Sequence, residues 1–103
     1  HNTMLGGKAI EMMDEVAFIT ATRFSRKRFV VAGSEVNYIK PIPAGALVEV
    51  IGEVIDIGKT SVKVSVKVFI EEMYSNKREE AINASFTCVA IDKNKKSIPV
   101  LDS

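Results

Sequence analysis

After Arg26-Lys27-Arg28 the hydrophobic period of this chain changes from helical to alternating and does not change back. That limits the fold to one helix followed by sheet. From about Gly7 to Arg23, Ala9, Ile10, Met12, Met13, Val16, Ala17, Phe18, Ile19 and Ala21 recur at helical spacings with no Pro to interrupt them. At about 100° per residue, Lys8, Glu11 and Glu15 share one narrow polar stripe, and the remaining arc is apolar. So wide an apolar arc predicts a helix wrapped by other structure over most of its circumference.

Four strand-like stretches follow, roughly 28–40, 46–57, 60–73 and 79–92, rich in β-branched residues. Pro41, Pro43 and Gly45 punctuate the first gap, Gly58 the second and Ser75-Asn76-Lys77 the third. Val62, Val64, Val66, Val68 and Ile70 alternate with Ser61, Lys63, Ser65 and Lys67, so one face is buried and the other mostly wet. In the middle hairpin, a two-residue Gly58-Lys59 turn would set Glu53 beside Val64 and spoil both faces. A three-residue loop, Ile57-Gly58-Lys59, instead pairs Val54 with Val62, Val50 with Val66, Glu53 with Lys63 and Glu49 with Lys67. Such a loop usually wants a residue with positive φ, which Gly58 supplies. The expectation is a single α+β domain over residues 1–103, a long helix followed by a four-stranded antiparallel meander. Its two exposed edges predict self-association through a sheet edge.

Composition excludes several classes. The chain has 103 residues, and 14 Lys and Arg against 13 Asp and Glu leave a net charge of +1. That balance argues against a dedicated nucleic-acid surface. No apolar run approaches the roughly 18 residues of a membrane span. The single Cys cannot close an internal disulfide, which fits a reducing cytoplasm. The chain opens at His1 with no basic-then-apolar leader, and the expectation is that residues precede it.

Asp14 is the most informative position. It lies about 80° from the centre of the polar stripe, flanked by Ile10, Ala17, Phe18 and Ala21. It is either a boundary carboxylate that reaches solvent or a general base or nucleophile with a tuned pKa. Gly6-Gly7, placed immediately before the helix, is either a hinge or an approach to first-turn N–H groups that would hold an oxyanion. Gly58-Lys59-Thr60-Ser61 is either a plain turn or a grip on a phosphate or pantetheine group. Arg26-Lys27-Arg28 and Lys93, Lys95 and Lys96 are solvated charge unless they meet the phosphates of a nucleotide-bearing substrate. The only His is His1, so a His triad or His metal site has no material. Cys88 falls on the alternating face with Ile82, Ala84, Phe86 and Ala90 and reads as a small buried hydrophobe. There is no GxGxxG motif and no interleaved basic and aromatic surface.

Together these residues resemble the hotdog-fold acyl-CoA thioesterases. The resemblance rests on Leu5-Gly6-Gly7 with Met13-Asp14-Glu15, Asn37-Tyr38-Ile39-Lys40-Pro41-Ile42 with Gly45, and Gly58-Lys59-Thr60-Ser61. Phe86-Thr87-Cys88-Val89-Ala90-Ile91-Asp92 and the late Ile98-Pro99 complete it, in order over nearly the whole chain. It implies a helix wrapped by a curved antiparallel sheet, with the family's first strand missing from this chain. An Asn used near the site by some relatives has no assigned counterpart, since Asn2 and Thr3 both fall close to it. Two protomers would join into one continuous sheet, with active sites at the dimer interface and dimers assembling to tetramers or hexamers.

Asp14 matches the family's catalytic carboxylate, activating water or attacking the thioester directly. The N–H of Gly7, with Gly6, would stabilise the oxyanion. Gly58, Lys59, Thr60 and Ser61 would line the CoA path, and Met12, Met13, Val16 and Phe18 would border the acyl tunnel. The reaction implied is hydrolysis of a fatty acyl-CoA to free acid and CoA in the cytoplasm, without metal or organic cofactor. The rival reading is a non-catalytic acyl-CoA sensor. A hotdog hydratase would need an internal His.

Overall fold

The computed structural model describes residues 3–102, in the order α1 (Thr3–Ser25), β1 (Arg28–Tyr38), β2 (Leu47–Ile57), β3 (Ser61–Glu71) and β4 (Arg78–Ile91). The change of period falls where the sequence places it. Arg26 adopts φ 61°, its N–H donates to the Thr22 carbonyl at 2.6 Å, and the helix ends there. β1 begins two residues later.

The helix starts earlier than its apolar pattern suggests. It runs from Thr3, so Gly6 and Gly7 lie inside it, not before it. Its buried underside is a single stripe at every fourth residue: Ala9, Met13, Ala17 and Ala21. Three alanines in that stripe let the axis sit close to the sheet. The rest of the apolar arc is not wrapped within the chain, for Met12, Phe18 and Ile19 are all exposed. One four-stranded sheet covers one side of a helix and no more.

The four strands form one antiparallel sheet, but it is not a simple meander. Its order is β1-β4-β3-β2, so β1 pairs with β4 and lies at the opposite edge from β2. The segment between β1 and β2 crosses the sheet end. The N–H groups of Ile39 and Lys40 donate to the Ala81 carbonyl, Lys40 pairs with Glu79, and Ile42 is buried. Gly45, at φ 83°, then turns the chain into β2, with the Ala46 N–H donating to the Pro43 carbonyl. That is the third position of a type II turn, where a β-carbon is strained.

The β2–β3 register also differs. Val54 faces Val64, Val50 faces Val68 and Glu53 faces Ser65, so each pairing is displaced by two residues from the one expected. The turn is the four residues Gly58 to Ser61, closed by the Gly58 N–H on the Ser61 carbonyl at 2.7 Å, and Ile57 faces Val62. Gly58 is not among the described residues with positive φ. That turn alone would present the wrong side chains to the core. A register shift between Val54 and Asp56 leaves Ile55 unpaired and restores the faces. Glu49 meets neither Lys63 nor Lys67; the Arg78 guanidinium donates to it at 2.6 Å and stacks 4.1 Å from the Phe69 ring.

Val62, Val64, Val66, Val68 and Ile70 of β3 and Ile82, Ala84, Phe86, Cys88 and Ala90 of β4 form the core beneath the helix, as their alternation predicts. After β4, the Asp92 carboxylate accepts the N–H groups of Asn94 and Lys96 and reverses the chain. The returning segment seats Val100 in the core, its N–H donating to the Lys59 carbonyl.

Candidate functional site

Asp14 stands at mid-helix and is exposed. Val16 and Thr20 meet Gly52 of β2, and Asp14 lies about 160° around the helix from Val16. Its flank therefore faces away from β2, toward the β1 side of the sheet. Ile10 and Phe18, one turn before and after, line that flank; Ile10 is half-buried and Phe18 is 50% exposed. The result is a carboxylate on an open apolar strip.

The structure divides the residues expected to border an acyl chain. Phe18 shares Asp14's flank. Met13 is core, fully buried, with no surface to offer. Met12 is exposed but about 160° from Asp14, on the β2 side. Val16 is half-buried against Gly52. No single surface of one chain collects all four, because residues at neighbouring helical positions diverge by about 100°.

Gly7 lies on Asp14's face, about 10 Å along the axis, and a β-carbon there would meet nothing within 4 Å. As the fifth helical residue, however, it has its N–H within the i→i−4 ladder. Gly6, the fourth, also lies within the helix. The pair lies within the helix, and is not the terminal donor pair the sequence suggests.

Gly58, Lys59, Thr60 and Ser61 lie at the far end of the helix. Register shows why: Arg28 of β1 faces Ile91, and Ser61 faces Val89, so the start of β1, the β2–β3 turn and the exit of β4 share one end of the sheet. Here a cavity of about 610 Å³ is lined by Lys27, Gly58, Lys59, Ile98, Pro99, Leu101 and Asp102. Lys27 pairs with Asp102 at 2.6 Å across it. The same topology gathers Arg26, Arg28, Lys93, Lys95 and Lys96 at this end. Sequence reading saw those cations as separate runs and missed the returning tail that walls the cavity. The charge runs were visible, but their adjacency depends on β1 pairing with β4.

From Asp14 to the end of the helix is about 16 Å. Within one chain the carboxylate and the basic cavity are therefore apart. Cys88 is buried, and desolvation pushes its thiol ionisation up, which removes it as a nucleophile. Among the described residues no cluster of His, Cys, Asp and Glu is placed to hold a metal ion, and no helix is long and apolar enough to cross a membrane.

Comparison with known proteins follows the same lines. A family model described as the thioesterase superfamily matches residues 1–76. An uncharacterised acyl-CoA thioester hydrolase of Bacillus subtilis is 38% identical over 101 residues, covering 97% of this chain and 59% of that protein. An acyl-CoA hydrolase from Bacillus cereus superposes with a TM-score of 0.91 at 38% identity, over 98% of this chain and 62% of its own. An acyl-CoA hydrolase from Staphylococcus aureus, solved with butyryl coenzyme A, coenzyme A and coenzyme A disulfide, gives 0.89 at 32% identity, over 98% and 62%. An apo-hexameric acyl-CoA thioesterase gives 0.88 at 30% identity, over 93% and 62%. The chain thus spans about three-fifths of the length of these relatives.

Proposed function

The chain belongs to the thioesterase superfamily, and from that premise we propose that the protein hydrolyses acyl-CoA thioesters to the free acid and coenzyme A. Its helix-on-sheet architecture is that of the hotdog acyl-CoA hydrolases it superposes on. The observation that carries the reading is Asp14, a carboxylate on the helix flank that Ile10 and Phe18 make apolar. Acting as base, it takes a proton from water as the oxygen adds to the thioester carbonyl. The tetrahedral intermediate then expels CoA as thiolate, which takes up the proton. Acting as nucleophile, it would add to the carbonyl and expel CoA as thiolate, leaving a mixed anhydride that water opens to the free acid and the regenerated carboxylate, the water's proton going to the thiolate. Neither route calls for a metal or organic cofactor.

The spacing of the parts supports a site shared by two copies. β1 is an edge strand with Val30 and Val31 exposed, an edge that a second copy can extend. In an isologous antiparallel pairing the start of β1 in one protomer lies beside its end in the other. The basic cavity of one copy then approaches the helix of its partner, where phosphates of CoA meet Lys27 and Lys59 while the thioester reaches Asp14.

The test is thiol release by the full-length protein over short, medium and long acyl-CoAs. Asp14→Asn is expected to keep the fold and lower kcat by about 10² to 10⁴. Absence of turnover across the panel overturns the reading, and acyl-CoA binding without thiol release would point to a sensor.

A further inference from the structure

We propose that Gly52 is a positioning residue, setting how closely α1 lies on β2 and hence where the Asp14 carboxylate stands; this rests on the role given to Asp14 above. Gly52 sits mid-strand in β2, on the inward face between Val50 and Val54, both half-buried against the core. A β-carbon there would lie 2.4 Å from Thr20 Oγ1 and 2.7 Å from Val16 Cγ1. Both neighbours are β-branched; Val16 is held to one χ1 rotamer on a helix and keeps its contact even where Thr20, which has two, turns its hydroxyl away. Glycine weakens a strand interior and marks a close approach of another element. Here the approaching element is the helix that bears the carboxylate.

The helix has nowhere to yield except outward. Its underside of Ala9, Met13, Ala17 and Ala21 is already buried in the core it shares with the sheet. An added methyl group therefore pushes β2 and the facing side of α1 apart by about 1 Å in all, the gap between 2.4 Å and an ordinary contact. Asp14 is two residues from Val16 on the same rigid rod and is carried with it. A displacement of about 1 Å in a catalytic group costs about 10² in rate.

The experiment is a graded series in the full-length protein: Gly52→Ala alone, Gly52→Ala with Thr20→Ala, and Gly52→Ala with Thr20→Ala and Val16→Ala. Each is read against its matching background without the Gly52 change. Turnover is counted per folded site by CoA-binding stoichiometry, with Asp14→Asn run alongside. Gly52→Ala is expected to lower kcat by about 30- to 100-fold with KM within about threefold. The loss should shrink with Thr20→Ala and fall below about threefold in the V16A/T20A background. If Gly52→Ala alone does not fold, the other two members decide on the same criterion. A flat series, or a kcat loss that V16A/T20A fails to relieve, overturns the proposal while leaving Asp14's role intact. Retained turnover in Asp14→Asn instead removes the reading on which it rests.

Discussion

Glu79 shows what one side chain contributes to the segment that crosses the sheet end. The hydrogen bond from Lys40 holds its carboxyl below the ordinary value of 4.5, helped by the charges of Lys40 and Lys77 and opposed by partial burial. A carboxylate whose pKa is lower folded than unfolded adds stability above its unfolded value. That contribution disappears as pH falls through the folded one. Glu79→Gln should therefore lower Tm at neutral pH, and the gap between variant and parent should close as the solution is acidified below about 4.5. Melting curves from pH 7 to pH 3 check it. Asp14 has no comparable partner among the described residues, and it stands out in the sequence for another reason. It is a charged residue at an apolar wheel position, a conflict the sequence displays openly. The glycines beside it misled, because nothing in the composition marks whether a helix begins before or after them.

Among the elements, the turn at Gly45 invites a direct measurement. Gly45→Ala meets no steric neighbour, so its cost should be the left-handed backbone alone, about 1 to 2 kcal/mol by chemical denaturation. Strand positions were readable because alternation is a local signal, and β1 to β4 lie within a few residues of their expected bounds. The β2–β3 pairing was not, because two compensating irregularities set it. A four-residue turn and an unpaired Ile55 leave the buried face unchanged while moving every partner from Val54 back to Leu47 by two residues. Hydrophobic pattern records which face is buried, not how far one strand has slid. The place of β1 was hidden for a related reason, since its alternation is satisfied equally beside β2 or β4.

At the scale of the whole molecule, the proposed assembly of copies would give the exposed apolar residues a role. Phe18 on the Asp14 flank and Val30 and Val31 on β1 are unburied in one chain and fit an assembly of copies. Val30→Lys with Val31→Lys should leave the circular dichroism of the protomer unchanged and shift sedimentation toward monomer. Thiol release should fall together with the association. A variant that stays associated and fully active would move the seam elsewhere. The separation of Asp14 from the basic cavity was legible only in part: each piece was visible in the sequence, the distance between them was not.

The crossing from β1 to β2 also dictates an order of events during synthesis. β1 ends at Tyr38 and its partner strand begins at Arg78, so the ribosome must add the whole intervening stretch before β1 can dock. Meanwhile β2, β3 and β4 can zip together as neighbouring hairpins with short closures. A nascent chain therefore carries β1, with its valines, without its β4 partner until Arg78 and the residues after it have been made, the interval in which β1 is most open to chaperones and to mispairing with another polysome's product.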